Sequence, residues 1–177
     1  MCHTTVAAFF EHIFSERRDF FGRTFAVDRL DAFWARQSPG RIASICPEAA
    51  TDRNLHLRMI PVQLYGGNVS VSKTQSCLVI LWRSAASFRL PALEGLMPVS
   101  SICLKDTDRR SVESVFAALR WSVEVLATGH HPAVDHRGRA WTSGTDRKGK
   151  RRAAAGRPLA GGYFAVFLEV AGDWERL

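Results

Sequence analysis

The sequence predicts an α/β (α+β) domain: a mixed, mainly antiparallel sheet with one amphipathic helix packed on it, preceded by amino-terminal helices. Three stretches predict it. Residues 59–83 hold two apolar runs flanking a polar segment with two glycines, the pattern of a paired strand hairpin. In residues 110–128 the apolar positions recur at helical spacing, and residues 163–170 form one more strand-sized apolar run.

Taken in order, residues 5–21 read as a helix, with Val6, Phe9, Phe10, Ile13 and Phe14 on one stripe and Glu11, Glu16, Arg17 and Arg18 largely off it. Phe20-Phe21-Gly22 ends it. A shorter helix over 28–36 places Leu30, Phe33 and Trp34 on one side and stops at Ser38-Pro39-Gly40. Residues 41–56 show no period and read as a loop, so the helical segment 1–54 gives way to the main fold, 55–177, near residue 54.

The central pair follows. Ile60, Val62 and Leu64 alternate with Pro61, Gln63 and Tyr65, while Leu78 to Trp82 is continuously apolar, as in a strand covered on both faces. Gly66, Gly67 and Asn68 tolerate positive φ, so the reversal between the strands is placed there. Residues 86–98, with two prolines and Gly95, make an irregular connection with a short helix over 91–97, and 99–104 supplies a third strand. Val112, Val115, Phe116, Leu119, Val123 and Leu126 then form the stripe of the main helix, which Gly129 stops. Residues 129–162 carry no apolar period and read as a long loop before the fourth strand, a length that marks function or disorder.

Composition bounds the partners. A chain of 177 residues suffices for one domain of ordinary size, which buries roughly 70% of its unfolded surface. No apolar run approaches the ~20 residues that cross a bilayer, which sets membranes aside as partners. The first residues lack a basic stretch, and Glu11 and His12 interrupt the apolar part, so the expectation is a chain that is not secreted and resides in the nucleus or cytoplasm. Cys2, Cys46, Cys77 and Cys103 form no C-x-x-C pair, so a thiolate zinc site is unsupported, and Cys77 and Cys103 read as small core residues. No G-x-S-x-G elbow or Cys/His pattern indicates a nucleophile.

The formal charge is +7, and all of it lies in one segment. Arg137, Arg139, Arg147, Lys148, Lys150, Arg151, Arg152 and Arg157 face only Asp146 there, leaving sixteen basic and sixteen acidic residues elsewhere. The basicity thus belongs to the loop rather than to the fold. Arg147, Lys148, Lys150, Arg151 and Arg152 are the candidates for neutralising nucleic-acid phosphates, DNA or RNA, with Trp141 to stack on a base. The same string, Lys148 to Arg152, also reads as a nuclear localisation signal. His130, His131, Asp135 and His136 form a cluster of metal-ligand type, weakened by its glycine- and proline-containing loop, which imposes no i, i+4 geometry.

Three phrases carry a resemblance: Ile60-Pro61-Val62-Gln63-Leu64-Tyr65-Gly66-Gly67-Asn68-Val69-Ser70-Val71, then His131-Pro132-Ala133-Val134-Asp135-His136-Arg137-Gly138-Arg139-Ala140-Trp141, and Gly156-Arg157-Pro158-Leu159-Ala160-Gly161-Gly162-Tyr163-Phe164 followed by Gly172-Asp173-Trp174-Glu175. Over residues 55–177 they resemble repetitive, transposable-element-derived proteins of transposase-like character, whose ribonuclease H-like fold begins with three strands, a helix and a fourth strand. The resemblance implies a partial ribonuclease H-like domain in which an acid after the first strand and one at the end of the fourth gather metal ions. Members tend to read Gly-Asp-Gly after the first strand, where this chain has Gly66-Gly67-Asn68. Glycine offers no ligand and asparagine no charge, whereas a two-metal site needs carboxylates. Asp173 matches the second position, and the sequence ends before the elements that would deliver a third acid.

The expectation is therefore a degenerate, truncated relative without catalysis or cofactor, of undetermined oligomeric state, binding nucleic acid through its basic loop. One alternative is a metal-dependent nuclease of transposase type using magnesium, Asp173 and help from Asp106, Asp108 or Glu175. Another is a protein-interaction module presenting Phe9, Phe10, Phe14 and Trp34.

Overall fold

The computed structural model describes residues 6–72, 75–87, 95–103, 109–143, 145–146 and 149–172. Helices α1 (Val6–Glu16), α2 (Arg18–Phe25), α3 (Leu30–Trp34), α4 (Pro39–Ile45) and α5 (Pro47–Thr51) precede strands β1 (Met59–Ser72), β2 (Gln75–Ser84) and β3 (Met97–Cys103). The long helix α6 (Arg109–Thr128), the short helix α7 (Lys150–Ala154) and strand β4 (Phe164–Gly172) complete the order. The sheet runs β3-β2-β1-β4, with β1–β2 and β2–β3 antiparallel and β4 parallel to β1. The α+β class with a mixed, mainly antiparallel sheet is as the sequence predicts. No helix among the described residues is long and apolar enough to cross a membrane.

The hairpin turn is not at Gly66-Gly67-Asn68. Strand β1 continues through these residues, which pair with Ile80, Val79 and Leu78, and the two strands remain paired as far as Ser72 and Gln75. Neither Gly66 nor Gly67 adopts positive φ. The ladder explains this: β2 supplies partners along the whole segment, and Val69 and Val71 keep the segment β-favouring, so glycine's freedom goes unused.

Along β2, Leu78, Ile80 and Trp82 are buried while Cys77, Val79, Leu81 and Arg83 are half-buried, the period of two expected of one fully covered face. Leu78, Ile80 and Ile102 take the α6 stripe, with Val112, Val115, Phe116 and Leu119 packed against them. Trp82 meets Phe10 of α1 and Phe25 of α2, whose rings lie 6.2 and 5.4 Å away. The Ala7 N–H donates to Ser122 Oγ at 2.9 Å and ties α1 to α6. Cys77 and Cys103 face each other across β2 and β3 and are half-buried, at the margin of the core rather than inside it.

The amino-terminal aromatics belong to the interior. Phe10 and Trp34 are fully buried, Phe9 and Phe14 pack against the same cluster, and the Trp34 indole N–H donates to the Met59 carbonyl at 2.7 Å. They are therefore not a presented surface. Residues on both sides of position 54 share this core.

Several local expectations need correcting. The first helix is two, broken at Arg17 (φ −143°), and α2 runs past Gly22 to Phe25 before Ala26 caps it in the left-handed region. Residues 41–56 are not a loop: they hold α4, α5 and a 3-10 turn, Arg53–Leu57. Ser38-Pro39 starts α4 rather than ending α3, because Ser38 Oγ accepts from the Arg41 N–H and Pro39 sits where no backbone donor is needed. The proposed helix over 91–97 falls mostly outside the described residues.

The turn Leu159–Gly162 leads into β4, and Gly161 there has φ +66°. A β-carbon at Gly161 would lie 2.5 Å from the Phe14 ring, itself wedged between Phe21 and Tyr163. Gly161→Ala is expected to destabilise the fold by about 1–3 kcal/mol through overpacking and backbone strain. Gly40→Ala, in α4 with nothing within 4 Å of the added carbon, should cost no stability. Urea unfolding of both variants checks the contrast.

Candidate nucleic-acid interface

Segment 129–162 leaves α6 at Gly129, whose φ of +66° turns the chain back toward β4. Its base is closed by backbone bonds: Leu159 N–H to the Gly129 carbonyl (2.8 Å), His131 N–H to the Arg157 carbonyl (2.9 Å) and Gly156 N–H to the His131 carbonyl (2.9 Å). So closed, the described residues of the loop form an ordered platform rather than a tether.

Two aspartates organise what lies between. Asp135 Oδ1 accepts from the N–H groups of Arg137 and Arg139, both at 2.9 Å, and its Oδ2 lies 2.8 Å from the Arg139 guanidinium. With Asp135 N–H on the Arg139 carbonyl and Gly138 at φ +72°, residues 134–140 form a tight hairpin. Asp146 Oδ2 accepts from the Arg152 N–H at 2.9 Å, and its own N–H donates to the Thr142 carbonyl at 2.7 Å. The Arg139 N–H, helped by its guanidinium and the Arg137 N–H, holds the Asp135 carboxyl at about 2. The Arg152 N–H does the same for Asp146, holding it below the usual carboxylate range. No apolar period announced this order, because side-chain-to-backbone bonds supply it.

The charges now separate into two groups. Arg139 is taken up by Asp135, and Arg152 by Asp146 at 3.7 Å. Arg137, Lys150, Arg151 and Arg157 are exposed. Arg147 and Lys148 lie outside the described residues. Trp141 is half-buried, its indole N–H donates to the Pro132 carbonyl at 2.9 Å, and the Arg151 guanidinium sits 4.7 Å over its ring. One face of its ring is thus already stacked. The sequence reading gives Arg137 and Arg157 no binding role; their place beside Lys150 and Arg151 comes from the closed loop.

Beneath the loop lies a cavity of about 1050 Å³ that sequence reasoning missed. Val6 and Ala7 of α1 and Val115, Ala118 and Leu119 of α6 form its apolar floor. Trp121, His136 and Trp141 bring three rings to its wall, and Arg137, Lys150, Arg151 and Arg157 reach its rim. Glu11 of α1 accepts from the Ala160 N–H, and His131 Nε2 lies 3.6 Å from its carboxylate.

The metal-ligand cluster is dispersed. His130 Nδ1 contacts the Thr128 carbonyl at 2.6 Å, His131 turns to Glu11, His136 packs edge-on to Trp121, and Asp135 is bound to Arg139. Among the described residues no three His, Cys, Asp or Glu side chains gather where they could hold an ion. Asp106, Asp108, Asp173 and Glu175 lie outside the described residues. Strand β4 is paired up to Gly172, opposite Gly66, so its described end stands beside the glycines of β1. A β-carbon at Gly67 meets nothing within 4 Å, so a carboxylate is missing there for want of the residue, not of room.

No protein-family model matches the chain, and no curated protein and no solved structure matches it.

Acid should loosen the loop in a defined range. The Asp135 carboxyl is depressed from an unfolded value of about 3.9, so the stability it contributes is full above that pH and is lost as pH falls through about 2. In the native chain the Trp141 indole N–H resonance should move toward its unfolded position between about pH 4 and 2. In Asp135→Asn that transition should vanish, with the loop already loosened at neutral pH.

Proposed function

We propose that this chain is a degenerate, catalytically inactive transposase-like protein with a ribonuclease H-like domain, and that it binds single-stranded DNA or RNA without sequence preference through the rim of its loop. The observation that carries the binding is the ordered presentation of Arg137, Lys150, Arg151 and Arg157 around an aromatic-walled cavity. Four cations on a closed loop neutralise successive phosphates and release their counterions. Their positions are fixed before binding, so less ordering entropy opposes association than a disordered basic tail would face.

The kinship rests on topology as well as on the three phrases. Three strands, α6 and then β4 follow one another in the chain order the resemblance implies, and β4 pairs with β1, the neighbourhood in which the resemblance would gather its acids. Inactivity follows from the ends of β1 and β4: Gly66 and Gly67 bring no ligand, so two divalent ions would lack the carboxylates that hold them. A nuclear or cytoplasmic residence suits this role.

Fluorescence anisotropy with a labelled oligonucleotide tests the binding. Four neutralised phosphates give a slope of log K against log salt of about −3, so affinity should fall about 50-fold between 50 and 200 mM salt. Replacing Arg137, Lys150, Arg151 and Arg157 together with Gln should abolish the salt-dependent part. Binding that ignores salt, or that survives the fourfold change, contradicts the reading. Plasmid DNA incubated with magnesium should stay intact; cleavage that disappears in Asp173→Ala would establish the nuclease alternative instead.

A further inference from the structure

The rim alone would serve strand binding, yet the structure provides a half-open cavity behind it. Its volume of about 1050 Å³ stands at the top of the roughly 300–1,000 Å³ range typical of small-molecule sites, so a nucleotide and its waters fit. We infer that the cavity between α1, α6 and the loop takes one unpaired nucleotide of a bound strand, base inward and phosphate on the rim. This rests on the strand-binding reading and adds a specific pocket to it.

The chemistry of the wall selects the occupant. An anionic group is called for by Arg137, Lys150, Arg151 and Arg157 at the mouth, which outnumber the carboxylates near them among the described residues: Asp135 is bound to Arg139, Asp146 lies against Arg151 and Arg152, and Glu11 is engaged by the Ala160 N–H. A planar, π-bearing body is called for by Trp121, His136 and Trp141, since base and aromatic faces attract one another whatever the base. A purely aliphatic tail would leave polar groups inside unpaired. Ser100 and Ser114 line the cavity, and the Glu11–His131 pair presents carboxylate and imidazole atoms 3.6 Å apart, half-open to the space. Such groups hydrogen-bond the edge of a base and would be desolvated at a cost by an acyl chain. None of Gly66, Gly67 or Gly172 lines the cavity, so it is separate from the ends of β1 and β4.

Titration of the full chain with adenosine 5′-monophosphate, monitored by nuclear magnetic resonance, tests the inference, with inorganic phosphate and oleate as parallel probes. The nucleotide should bind at least tenfold tighter than phosphate and shift the Ala118, Trp121 and His131 signals as well as those of the rim. Ala118→Trp, which fills the floor, should weaken it at least tenfold. Should that variant fail to fold, the shift map of the native chain decides. Shifts confined to Arg137, Lys150, Arg151 and Arg157, affinity no better than for phosphate, or oleate binding where the nucleotide does not, would each overturn the pocket. Where oligonucleotides still bind with the expected salt slope, such a result removes the pocket alone; where they also fail, the strand-binding reading falls with it.

Discussion

The parallel pairing of β4 with β1 is the constraint on which the molecule depends. Antiparallel neighbours are joined by a turn, but a parallel neighbour requires the chain to return to the end at which the first strand began. Helix α6 makes most of that return along the buried face, and segment 129–162 completes it. The basic loop is thus a part of the crossover connection, held between the end of α6 and the start of β4. That position explains why it can be long, polar and still fixed: both ends are anchored by elements that the core positions.

The same crossover determines the surroundings of the loop. Because α6 lies over Leu78, Ile80 and Ile102, its carboxy-terminal half meets α1, and the loop emerging from it closes over the junction. Glu11 on α1 and the Ala160 N–H at the loop's far end join the two across a sequence distance no local interaction spans. A cavity remains because α1 and α6 face the loop with small residues, Ala7, Ala8 and Ala118, where larger ones would have filled it. Cationic residues collect at the opening since the two aspartates that order the loop bind Arg139 and Arg152, while Arg137, Lys150, Arg151 and Arg157 stay exposed.

Legibility in the sequence followed the kind of force at work. Burial of a stripe is periodic, so α6 was readable to within a residue of its start and its end, and β2, β3 and β4 to within a few, whereas β1 runs seven residues past the end expected at Tyr65. The short helices over 39–57 were not, since one or two turns carry no period; the signal that would have found α4 is Ser38-Pro39, a cap and first-turn pair read instead as a stop. Gly66-Gly67 misled because glycine permits a turn without requiring one, and only the length of β2 reveals that the strand goes on. The loop's order was written in Asp135-His136-Arg137-Gly138, an aspartate able to bond the backbone two residues on, followed by a glycine at positive φ. The cavity had no sequence signal, for it is built by four separated segments meeting.

Hydrogen exchange across the loop tests the central claim, that this crossover is a fixed platform carrying its charges in place. The account predicts slow exchange at the amides of His131, Arg139, Arg152, Gly156 and Leu159, comparable to those of neighbouring β4, with fast exchange confined to loop amides that lack a partner. Uniform exchange at the rate of an unstructured peptide throughout 129–162 would contradict it, leaving a charged tether with neither rim nor pocket.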